Sequence, residues 1–441
     1  MSGELEGMTA RPRIYPMSRE QETVWLDDLI FDGASRYLEA WASRLTGRLD
    51  IGALEWAISQ VIARHEVLRS RLTESDGEPV QIVTAAGRVQ LAQLSCSPAA
   101  LPAELSRIVA EPLDLNEAPI RPWLLSLTPD EFVLVVQFHH AAFDDWSLNI
   151  LQRELMHFYS ARVQDRPAEL EPLRMQAGEF AVAQRAAGLD PQDLEYWRER
   201  VKAAPRSCTI PPDRPGSEEL PHRAEFHLLE VSPELGQAVR AAGRALRATP
   251  FTLFAGAMAA LLWQYGEQQE VIFGTPVSLR GTAADDGMIG FLTNLHPIRL
   301  AVSRDMTFRM LVNAAKAEVL SALEHRAVPY STIVAMSRRG LDPGAPLCDV
   351  SLVLDDMRWE PFSLPELTAE TIRVPEQYAK YALHLILTPS SDGGYTGAWN
   401  YDAEVYSAAT MARAAGQFAQ LLAHCVAAPD KPLGEIAGSA A

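Results

Sequence analysis

The sequence predicts a mixed α/β protein built from two halves of similar texture. Three observations carry this. Short apolar runs rich in Val, Phe and Leu alternate with stretches whose apolar residues fall at helical spacing. The alternation occurs on both sides of one proline-rich segment, residues 203–222. With 441 residues, 48% of them hydrophobic, the chain suffices for about two domains with substantial cores.

Taken in order, residues 1–12 read as a loose, acidic tail without the apolar stretch of a secretory signal. A first half, residues 13–202, follows. In it Leu54, Ile58, Val61 and Ile62 predict a helix over Ile51–Ala63. The run Phe132–Phe138 reads as a buried strand, and Leu148, Ile150, Leu151, Leu155, Phe158 and Tyr159 then mark one broad helical face. Residues 203–222 hold too many prolines for regular structure and are read as a linker. The second half, residues 223–441, has predicted strands at Ala224–Glu230, Val271–Gly274, Leu295–Leu300, Val350–Leu354, Leu383–Leu387 and Tyr395–Tyr401. Helices are expected near Pro250–Tyr265, Thr307–His325 and Ser407–Ala427.

Composition narrows the function. A net charge of −18 disfavours nucleic acid and anionic lipid as partners. Without about 18 consecutive apolar residues, no transmembrane helix is expected. Cys96, Cys208, Cys348 and Cys425 are far apart and read as reduced thiols of a cytoplasmic protein. His65, His296, His325 and His384 lack metal-ligand spacing, so no metal site is expected.

The chemistry concentrates in His139-His140-Ala141-Ala142-Phe143-Asp144-Asp145-Trp146-Ser147. The segment follows a predicted strand and precedes a predicted helix. A base placed there has a rigid element behind it and open space in front. An acidic residue at a helix start is locally favourable, which suits Asp145. Ser147 suits a helix cap; without GxSxG around it, it is not read as a nucleophile. Trp146 is expected in the core.

This segment resembles the HHxxxDG signature of the condensation domains of nonribosomal peptide synthetases, within the chloramphenicol acetyltransferase-like superfamily. Asp145 stands where that signature has glycine. The resemblance runs along most of the chain. Met17–Leu26 is similar to the opening Ser-x-x-Gln-x-x-x-Trp, and Arg64–Leu72 to RHExLRTRF. Glu179–Arg185 is a weaker DYAxWQR, with Glu179 for the aspartate and Ala183 for the tryptophan. Tyr196-Trp197, Pro212–Pro215, Thr249–Phe251, Gly274–Arg280, Ile289–Asn294, His325–Tyr330 and Pro346–Val350 follow in family order.

The resemblance implies two chloramphenicol-acetyltransferase-like lobes in a V, with the active site in a tunnel between them. It implies His140 as the catalytic residue and His139 as a structural neighbour. Asp144 is expected to pair with an arginine, Arg280 first and Arg64 second. The donor acyl group would arrive as a thioester on the 4'-phosphopantetheine of a carrier protein, with no cofactor bound permanently. A small acceptor's hydroxyl or amine would attack it, the gain coming largely from placing both reactants together. An alcohol gains more than an amine from a general base, and backbone N–H groups at the helix start would hold the oxyanion. With no further domain after the last helix, the chain reads as a free-standing enzyme whose carrier protein comes in trans. Ester formation is slightly preferred over amide formation, by analogy with free-standing relatives. Two rivals are a recruitment module of the X-domain kind, which Asp145 favours and His140 opposes, and an acyl-CoA-dependent acyltransferase.

Overall fold

Alternating and continuous apolar runs form fourteen strands among the described residues: β1 (Arg13–Pro16), β2 (Leu38–Gly47), β3 (Ser70–Ser75), β4 (Glu78–Val83), β5 (Ala92–Ser95), β6 (Ile120–Thr128), β7 (Glu131–His139), β8 (Ala224–Val231), β9 (Glu270–Ser278), β10 (Thr293–Ala301), β11 (Val350–Leu354), β12 (Leu367–Ile372), β13 (Leu383–Pro389) and β14 (Tyr395–Asp402). The computed structural model describes residues 12–30, 36–202, 204–205, 208–216, 222–266, 268–337, 347–357, 360–374 and 376–437. Pro346 of the motif at Pro346–Val350 and nearly all of the tail at 1–12 lie outside them.

Three sheets organise these strands. A five-stranded sheet has the order β12-β2-β7-β6-β5, a six-stranded sheet β10-β9-β11-β13-β14-β8, and a three-stranded sheet β1-β4-β3. Both larger sheets mix parallel and antiparallel pairs. The apolar run of β7 is continuous because both its faces are covered. Leu134, Val136 and Phe138 pack with Leu54, Ile58 and Leu151 of the helices Ile51–Arg64 and Asp145–Val163. Val133 and Val135 pack with Leu105 and Ile108 of the helix Leu101–Ala110. A strand buried on two faces loses the alternation of a half-exposed one.

The six-stranded sheet packs on Pro250–Gly266, a helix apolar all round, and on Ala408–Ala427. No single helix among the described residues is long and apolar enough to cross a membrane. The predicted helices and strands of the second half all form, most of them a residue or more longer than expected. Four elements were not foreseen there: the helix Pro233–Leu246, capped by Ser232, the short helices Tyr330–Met336 and Leu433–Ala437, and β12. The strand β12 leaves its own half and joins β2 antiparallel, from Leu367 opposite Gly47 to Ile372 opposite Ala42. The described residues of 203–222 form no helix or strand but are fastened: Asp213 accepts from the Ser407 N–H at 2.7 Å and the Thr410 hydroxyl at 2.7 Å.

Candidate active site

The strand β7 ends at His139, a single 3-10 turn spans His140–Ala142, and the helix starts at Asp145. The first histidine is buried, and its Nδ1 accepts from the Ala141 N–H at 3.1 Å. Its Nε2 lies 3.4 Å from Asp28 Oδ1. An accepting Nδ1 leaves the hydrogen on Nε2, facing that carboxylate. His139 thus fixes the turn from inside.

Asp144 caps the helix. Its Oδ1 accepts from the Ser147 N–H at 2.8 Å and the Ser147 hydroxyl at 2.6 Å. Arg280 Nη2 donates to Oδ1 at 3.0 Å and to Oδ2 at 3.1 Å, and the Leu292 N–H donates to Oδ2 at 3.1 Å. Both side chains of the ion pair are 4% exposed. Arg280 Nη1 also donates to the Asp285 and Met288 carbonyls at 2.6 and 2.8 Å. The Gly290 N–H donates to Ser147 Oγ at 3.0 Å. One helix terminus of the first half is therefore stitched to residues 280–292 of the second.

His140 lies beside this anchor with its ring 18% exposed. Its Nδ1 is 2.8 Å from the Phe143 carbonyl, and its Nε2 is 3.0 Å from Glu39 Oε1 on β2. Lys380, from the segment before β13, donates to that same oxygen. Burial opposes charge on His140, but Glu39 outweighs it and the imidazole pKa is raised. Burial also opposes charge on Glu39, yet His140 and Lys380 hold its carboxyl well below the usual range. Asp145 is solvent-exposed, with protein atoms dense around its carboxyl. Restricted hydration, with Glu39 next, pushes its carboxyl up from 3.8 to about 6.

The condensation-domain family model matches residues 12–438. The chain belongs to the condensation-domain family. The chloramphenicol-acetyltransferase-like pseudo-dimer is its fold, shared with solved condensation domains. The first condensation domain of the calcium-dependent antibiotic synthetase superposes with a TM-score of 0.81 at 19% identity, covering 96% of this chain and 98% of that one. The X-domain from teicoplanin biosynthesis superposes with a TM-score of 0.87 at 27% identity, covering 98% and 99%. Among curated relatives, the probable non-canonical nonribosomal peptide synthetase CymA of Salinispora arenicola is 30% identical over 96% of this chain and 6% of its own length. Phosphinothricin tripeptide synthetase PhsC of Streptomyces viridochromogenes is 32% identical over 94% of this chain and 39% of its own. The chain thus spans a minor part of these relatives.

Within this condensation domain, several expected residues sit elsewhere than the sequence reading had them. Trp146 is not in the core: it is 37% exposed, and its indole N–H donates to the Asp286 carbonyl at 2.9 Å. The cap of the helix is Asp144, and Ser147 is the residue it binds. Arg64 does not reach Asp144; its Nε donates to Glu154 at 3.1 Å. The same Glu154 binds buried His65 Nε2 at 2.9 Å, whose Nδ1 accepts from the Ile289 N–H at 3.3 Å. A cavity of about 450 Å³ between Arg64, Arg153, His157 and Ala283 lies off the His140 site. Asp145 occupies the first helical position without left-handed backbone, so nothing in the chain path there requires glycine. Among the described residues no group of His, Cys, Asp and Glu could hold a metal ion. Glu39 and Lys380 were missed by the sequence reading. One available signal was the scarcity of lysine, since the chain has four and one of them is at the site.

Proposed function

We propose that this condensation domain transfers an acyl group from a carrier-bound phosphopantetheine thioester to the hydroxyl or amine of a small acceptor. The product is an ester, in preference to an amide, in natural-product biosynthesis. The observation that carries this is the placement of His140: half-buried at the end of a rigid strand, with Nδ1 fixed by a backbone carbonyl, Nε2 against Glu39 and the ring still 18% exposed. In this reading His140 takes the acceptor's proton as its oxygen or nitrogen attacks the thioester carbonyl. The thiol of the pantetheine arm then leaves. The Ser147 N–H is taken by Asp144, which leaves the Asp145 and Trp146 N–H groups of the open first turn for the oxyanion.

A second reading has two observations in its favour. Glu39 already occupies His140 Nε2, and the X-domain from teicoplanin biosynthesis, solved in complex with OxyB, is 26% identical. A protein-recruiting module would carry such a filled site. Turnover of synthetic pantetheine thioesters with a panel of alcohols and amines separates the two. Wild type is expected to turn over, and His140→Ala to lose at least about a hundredfold. Equal rates in the two proteins, or none in either, would overturn the enzymatic reading.

A further inference from the structure

Both ring nitrogens of His140 are engaged. The Phe143 carbonyl can only accept, so Nδ1 carries a hydrogen. A neutral ring would then turn the Nε2 lone pair toward a carboxylate lone pair at 3.0 Å. That contact is repulsive unless a proton lies between the two atoms. Lys380 holds the other side of the same Glu39 oxygen, so a cation flanks the carboxylate on each side. Glu39 comes from the first half of the chain and Lys380 from the second, which fixes the carboxylate from two directions.

We propose that Glu39, held by Lys380, is a positioning residue that keeps a proton on His140 Nε2 in the resting site. His140 becomes a base only when that proton passes to solvent, which reaches the 18% exposed ring. The inference rests on the reading of His140 as the proton acceptor. The groups facing the ring come from four places. Glu39 lies on β2 and Asp145 on the helix, and both favour the charged ring. Lys380, before β13, disfavours it. Burial keeps His384 on β13 neutral, with a pKa pushed down to about 3, and Glu376 is raised by burial. The rings of Tyr37 and Phe291 lie 6.4 and 5.5 Å from the imidazole, centre to centre.

The arrangement gives opposite signs for two neighbours. NMR titration of histidine-labelled protein, with the His140 signal assigned through His140→Ala, reads the midpoint without any turnover. Wild type should titrate above the ordinary imidazole value of about 6.5. Glu39→Gln should lower the midpoint by about one pH unit or more, and Lys380→Gln should raise it. The acid limb of any measured acyl transfer should move with it. A wild-type midpoint at or below the ordinary value, no change in Glu39→Gln, or a downward shift in Lys380→Gln would each overturn the inference. Should Glu39→Gln fail to fold, the sign of the Lys380→Gln shift decides. Absence of turnover in wild type would instead remove the enzymatic reading and leave the proton placement standing.

Discussion

Asp145 is the residue at which this chain departs from its family's signature, and its energetics can be signed. A carboxyl raised from 3.8 to about 6 in the folded protein loses stability by being ionised. The loss is absent below the unfolded value, grows as pH rises between the two values, and stays constant above about 6. A shift of that size corresponds to about 3 kcal/mol; the solvent exposure of Asp145 reduces it to about 1 kcal/mol. Asp145→Asn should therefore unfold at a higher temperature than wild type at pH 7.5 and at the same temperature at pH 3. An equal difference at both pH values would show that the effect is not electrostatic. His140, Asp144 and Arg280 were nameable from the sequence because each lies in a contiguous motif of fixed order. Glu39 and Lys380 were not, because each is a single charged residue in an unremarkable stretch. They meet only through folding, 341 positions apart in the chain.

At the scale of elements, the helix Asp145–Val163 owes its position to its first turn. Its N-terminus is held by one carboxylate that accepts four different donor groups: the Ser147 N–H and hydroxyl, the Leu292 N–H and the Arg280 guanidinium. Breaking a buried ion pair by removing one partner leaves an uncompensated charge and costs about 3–5 kcal/mol. Asp144→Asn should lower stability to denaturant by about 3 kcal/mol, while Ser147→Ala should cost about 1 kcal/mol. Similar losses in the two variants would mean that Arg280 relaxes toward solvent when unpaired. Elements with full burial were the legible ones, since β7 and Pro250–Gly266 are apolar along their length. The strand β12 was illegible for the converse reason. Its Leu-Thr-Ala-Glu-Thr-Ile sequence is only half-buried along a sheet edge, so its position comes from pairing with β2 and not from its own pattern.

At the scale of the whole molecule, the second half helps to build the core of the first. The cluster beneath the five-stranded sheet contains Leu134, Val136 and Leu151 from the first half, and Met288, Ile289, Leu292, Phe362 and Leu364 from the second. Phe362 packs edge-on against Trp41 of β2 at 4.8 Å. The strand that follows Phe362, β12, then covers the edge of β2, the same strand that carries Glu39. Residues 13–202 alone would lose these apolar side chains, expose a long strand edge and leave Asp144 without Arg280. Truncating a buried Phe costs about 3–5 kcal/mol, and here the loss falls on the crossing itself. Phe362→Ala should therefore speed amide hydrogen exchange in β2 and β12 before it does so in β13 and β14. Residues 13–202 produced separately should lack a cooperative unfolding transition, and adding residues 203–441 should restore one. A fragment that unfolds cooperatively by itself would show that the crossing strand is an ornament on an independent domain. It would also predict that Glu39 and Lys380 can separate, because β12 joins β2 to the part of the chain that carries Lys380.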